Sequence, residues 1–123
     1  HRLYADRQTL VGALDKAGGA RRGPTGDLTL ARQVSAALNI ESAFDRHVNA
    51  LSEAEAAPAK SLFLEDAALF FHATLSDLEM KRFISDPGRL KRSHIREGVS
   101  HLIVWSAAKC VGEARRQLRN ENL

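Results

Sequence analysis

From Leu62 to Ile84 apolar side chains recur densely, with Phe63, Leu64, Leu69, Phe70, Phe71, Leu75 and Leu78 among them, and they surround much of any helix built there. A helix that is apolar on most sides has to be buried, so other elements must pack around it. The neighbouring sequence supplies them. Leu30, Val34, Ala37, Leu38, Phe44, Val48 and Leu51 form a stripe at helical spacing, with Asp27 or Thr29 available as the N-cap. The spacing predicts one helix ending near Ala57-Pro58, because a residue before proline is driven away from helical geometry. Ser61 is the expected cap of the central helix. Asp86-Pro87 then sets an acidic cap before a proline at the first helical position. It opens a segment reaching about Asn120, either as one helix or as two broken near Gly98, Ser106 or Gly112.

At the other end, Leu3, Leu10, Val11 and Leu14 recur at helical spacing, so residues 3–17 read as an amphipathic helix. The run Gly18-Gly-Ala-Arg-Arg-Gly-Pro-Thr-Gly26 stops it, since it favours turns and offers almost nothing to bury. The expected organisation is an N-terminal helix (1–17), a linker (18–27) and a helical bundle domain (28–123). That first helix can pack on the bundle, exchange with a neighbour or belong to a larger assembly. Aromatics make up only 6% of the chain while alanine is abundant, which suits close helix packing better than a β-sandwich. The expected fold is an all-α, antiparallel four-helix-type bundle with a separable N-terminal helix.

Several chemistries are poorly served. Cys110 is the single cysteine, so no internal disulfide and no Cys-x-x-Cys site can form. The apolar run Leu102-Ile-Val-Trp105 is far short of the roughly 20 residues of a membrane helix. With no signal-peptide pattern, a cytoplasmic setting and no membrane partner are expected. Gly23-Pro-Thr-Gly26 lacks the lysine of a phosphate-binding loop, and no Gly-x-Ser-x-Gly elbow occurs. No cofactor is expected. His72, on the most apolar stretch, reads as a hydrogen-bonded, partly buried residue, Met80 and Trp105 as packing or interface-edge residues, and Cys110 as a small buried filler.

Charge is unevenly placed beneath a net +3. Residues 28–80 carry three basic and eight acidic side chains, whereas residues 81–119 carry ten basic and three acidic ones. The two halves can neutralise each other, or the basic half can meet an acidic partner. On the last segment, Ile95, Val99, Leu102, Ile103, Ser106 and Cys110 fall on one face. Leu90, His94, Glu97 and His101 fall nearly opposite, toward water or a partner. The main reading is a non-enzymatic interaction module for signalling or assembly. It would present Arg89, Lys91, Arg92, Arg96 and Glu97 to an acidic protein surface. Nucleic acid is the lesser candidate because few aromatics are present to stack bases, and a homodimer is compatible with the pattern.

Three chemical readings concern the same segment. Phe63-Leu-Glu-Asp66, Asp86, Leu90 and His94-Ile-Arg-Glu-Gly98 stand in roughly the order found in histidine phosphotransfer domains, which this stretch of about 60 residues weakly resembles. That resemblance implies His94 as phosphoacceptor, Gly98 as the clearance for a response-regulator domain, and such a domain as partner. Glu97 stands where that family carries lysine and would repel the incoming anion, with Arg96 or Lys91 left to compensate. Arg96-Glu-Gly-Val-Ser-His101 resembles the Arg-x4-His spacing of HEPN ribonucleases. The implied roles are His101 as acid or base on the RNA 2′-hydroxyl and Arg96 on the scissile phosphate, commonly across a dimer interface. His94, Glu97 and His101 also occupy successive turns, with His47 or His72 able to join from another helix. That face points outward, however, where bundle metal sites point inward, so no metal site is assigned.

Overall fold

The computed structural model describes residues 28–48, 51–92 and 95–121, apart from the side chains of residues 90–92. The all-α expectation holds throughout them. In chain order they form α1 (Thr29–Ala37), α2 (Ile40–His47), α3 (Glu53–Thr74), α4 (Asp77–Ser85), a 3₁₀ helix (Pro87–Arg92) and α5 (Ile95–Glu121). The expected N-terminal helix, residues 3–17, and the linker, residues 18–27, lie outside the described residues.

Both expected long helices are interrupted. The stripe from Leu30 to Leu51 is divided at Asn39, which adopts the left-handed conformation with φ 56°. Asparagine tolerates that region better than most residues, and Ser42 Oγ donates to its Oδ1 at 2.9 Å. Its N–H closes the end of α1 on the Ala36 carbonyl, so one residue ends α1 and starts α2. The cap of α1 is neither Asp27 nor Thr29: Leu28 holds the position without a side-chain hydrogen bond. The apolar stretch from Leu62 to Ile84 is divided at Leu75, whose backbone is extended.

The expected boundary at Ala57-Pro58 is absent, and Ser61 is not a cap, because α3 starts earlier. A capping box opens it: Ser52 Oγ accepts from the Glu55 N–H, and Glu55 Oε1 accepts from the Ser52 N–H. Reciprocal satisfaction of these otherwise orphaned groups fixes the helix start five residues before Pro58, which sits inside the helix. Ser76 and Glu79 repeat the device at α4. Asp86-Pro87 starts the 3₁₀ helix rather than the long α-helix. From Ile95 to Glu121, α5 is continuous through Gly98, Ser106 and Gly112.

The centre of the molecule is the antiparallel pair α3 and α5. Glu55 meets Arg115, Asp66 meets Ser106 and Lys109, and Phe70 meets Gly98. α1 lies against α3 and α4, while α2 lies against both α3 and α5. Phe44 and Phe63, both fully buried, stack at 4.7 Å and pin α2 to α3. Burial of side chains of this size stabilises by about 1.5–3 kcal/mol each. Met80 and Cys110 are buried as expected, whereas Leu78 is 59% exposed.

Candidate functional site

The basic half of the sequence reaches the surface at the corner joining α4, the 3₁₀ helix and α5. Proline cannot donate a backbone hydrogen bond and has a fixed φ, so Pro87 tightens the chain after α4. The Arg89 N–H then bonds the Asp86 carbonyl at 3.0 Å. The 3₁₀ helix packs on both α4 and α5, and residues 81–96 carry six basic side chains against one acidic.

Among the described residues, the lysines and arginines differ in whether a carboxylate holds them. Lys60 contacts Asp45 at 3.0 Å and Glu41 at 3.5 Å, and the hydrogen bond to Asp45 holds its pKa above the ordinary lysine value. Lys109 meets Asp66 at 2.7 Å, Arg115 meets Glu55, and Arg116 meets Glu113. Arg116 in turn holds the Glu113 carboxyl below its ordinary pKa. By contrast, Lys81, Arg82, Arg89 and Arg96 are exposed and form no ion pair with any described residue, as is true also of Arg32, Arg46 and Arg119, which stand singly on α1, α2 and the end of α5. Four uncompensated cations along one corner attract an anionic surface.

Of the residues singled out from sequence, Arg89 and Arg96 belong to this exposed set. Lys91 and Arg92 complete the 3₁₀ backbone, their side chains lying outside the description, and His94 lies outside the described residues altogether. Glu97 and His101 are half-buried on α5. Arg96 and His101 are five positions apart, so they project roughly 140° from one another around the helix. Gly98 has an inward explanation: a Cβ built there would stand 3.1 Å from Phe70 Cζ, so the glycine admits the close approach of a core ring.

The chain matches no family model, curated protein or solved structure.

One polar cluster escaped the sequence reading. Ser106, fully buried, donates to Asp66 Oδ2 at 2.7 Å, and Lys109 Nζ reaches the same oxygen while lying 4.6 Å from the centre of the Trp105 ring. Cys110 Sγ lies 3.4 Å from Ser106 Oγ. The available signal was an aspartate at position 66 inside an apolar run, opposite a serine and a cysteine spaced i, i+4 on a buried face. Burial pushes the Cys110 thiol above its ordinary pKa, which keeps it protonated and a poor nucleophile. This cluster ties α3 to α5. Among the described residues, no three histidine, cysteine or acidic side chains are grouped to hold a metal ion, and no helix is long and apolar enough to cross a membrane.

Proposed function

We propose that this chain is a helical interaction module whose basic corner, Lys81 to Arg96, docks onto an acidic protein surface. The observation that carries the reading is the separation of the cations. Lys60, Lys109, Arg115 and Arg116 are held by carboxylates, while Lys81, Arg82, Arg89 and Arg96, close together in sequence around the 3₁₀ helix, stand exposed without one. Leaving them unneutralised costs self-repulsion, which an acidic partner relieves while gaining faster, steered encounter. Lys91 and Arg92 add charge within the same segment.

The test uses a fluorescently labelled poly-glutamate peptide as the acidic surface. Fluorescence anisotropy should show binding that weakens with added salt. The double reversal Arg89→Glu/Arg96→Glu should lower affinity at least ~10-fold, corresponding to ~1.4 kcal/mol. Reversal of the paired Arg116 should change it little. Equal affinity for wild type and the double reversal would sink the proposal.

A further inference from the structure

α4 turns one side inward and the other to solvent. Met80 and Phe83 are buried in the core, and the helix packs on α1 and on the 3₁₀ helix. Leu78 projects away from both buried side chains, with Lys81 ~60° to one side of it around the helix and Arg82 ~40° to the other. It is 59% exposed, and Lys81, Arg82 and Ser85 are exposed with it. The outer face of α4 therefore carries one bulky aliphatic side chain flanked by two cations that no described carboxylate holds. Asp77 and Glu79 stand ~100° to either side of Leu78, and Glu79 is engaged in the capping box with Ser76. The field over this face thus turns positive toward the 3₁₀ helix.

The rest of the described surface offers no equivalent. Val104, 58% exposed on α5, is the other exposed large apolar side chain among the described residues, and its neighbours one turn away, Ser100, His101, Ala107 and Ala108, include no lysine or arginine. Two cavities of about 620 and 230 Å³ lie along the α1–α3 seam, where Arg32 and Lys60 are matched by Glu41 and Glu53. An anionic segment gains nothing there.

We infer that Leu78 is the apolar anchor of the basic docking surface, and that the partner it fits is an acidic peptide segment with a bulky apolar side chain among its carboxylates. The inference rests on the basic corner being a docking surface. Contact with a partner's apolar side chain removes both groups from water and lowers the local dielectric around Lys81 and Arg82, which strengthens their pairing with carboxylates. An apolar centre with a charged rim is the usual anatomy of such an interface. The spacing also sets the partner's pattern. Leu78 stands one turn from both cations, ~5–6 Å between Cβ atoms, and an extended peptide covers that distance in about two residues, whose side chains share one side of it. The matching segment has an apolar residue with an acidic residue two positions away.

The experiment measures fluorescence anisotropy with two labelled peptides of equal length, poly-glutamate and the same peptide with its central glutamate replaced by leucine. Wild type should bind the leucine peptide about 5-fold more tightly, although it carries one charge fewer. Leu78→Ser should abolish that preference while leaving poly-glutamate affinity unchanged. Leu78→Met should keep it, and so should Val104→Ser. Poly-glutamate binding with no preference for leucine, or a preference that survives Leu78→Ser, would overturn the anchor alone. No poly-glutamate binding by wild type would overturn the docking surface and the anchor with it. Binding to phosphatidylserine vesicles that depends on Leu78, with no preference between the peptides, would overturn the inference in favour of a lipid surface.

Discussion

Gly98 and Gly112 show how two identical residues in one helix answer to different surroundings. Alanine is favoured over glycine in a helix by about 1 kcal/mol. At Gly112 an added Cβ meets nothing within 4 Å, so Gly112→Ala should stabilise by about that amount in thermal or denaturant unfolding. At Gly98 the Cβ meets Phe70, which is 3% exposed and packed edge-on to Phe71 at 5.4 Å. The ring has nowhere to retreat, so Gly98→Ala should give a net loss of about 1 kcal/mol despite its propensity gain. A gain equal to that at Gly112 would contradict the packing. Ser106→Ala removes a buried hydroxyl from a carboxylate and should cost about 1.5 kcal/mol in the same assay. These effects were beyond the sequence alone: the periodicity placed Ser106 and Cys110 on the buried face, but nothing local indicated that Asp66 would meet them.

At the scale of elements, helical periodicity located the apolar faces well and the boundaries poorly. Ile95, Val99, Leu102, Ser106 and Cys110 are buried together as the spacing implied, with Ile103 of the same expected face half-buried at its edge, because packing repeats with the helix. The ends depend on short-range competition. Pro58 looked like a terminator, yet Ser52 and Glu55 satisfy the start of α3 ahead of it, and the pattern Ser-x-x-Glu, present again at Ser76, was the signal that marked both starts. Ser76→Ala should therefore cost about 1 kcal/mol. Glu55 also binds Arg115, and its carboxyl is held below its ordinary pKa of 4.5, first by the bond from the Ser52 backbone and then by Arg115. A carboxylate with a depressed folded pKa contributes stability that is complete above 4.5 and is lost as pH falls through the lower folded value. The stability advantage of wild type over Glu55→Gln should shrink as pH falls from about 5 to about 3. A constant gap across that range would contradict the assignment.

For the whole molecule, charge asymmetry was legible in the sequence and its distribution over the surface only partly so. The acidic residues of the first half do compensate basic residues of the second: Glu55 holds Arg115 and Asp66 holds Lys109. Arg89 and Arg96 emerged as exposed cations from the sequence pattern, whereas Lys81 and Arg82 lay in a stretch read as part of the buried central helix. The break at Leu75 and Ser76 gives α4 its own solvent face and brings those two side chains to the surface. The direct test is an amide-resolved NMR titration of the isotopically labelled chain with the poly-glutamate peptide. Shift changes concentrated in residues 81–96, and reduced by added salt, are the expected result. Changes centred on the α1–α3 seam, or spread evenly over the paired arginines of α5, would contradict the assignment of the basic corner as the docking surface.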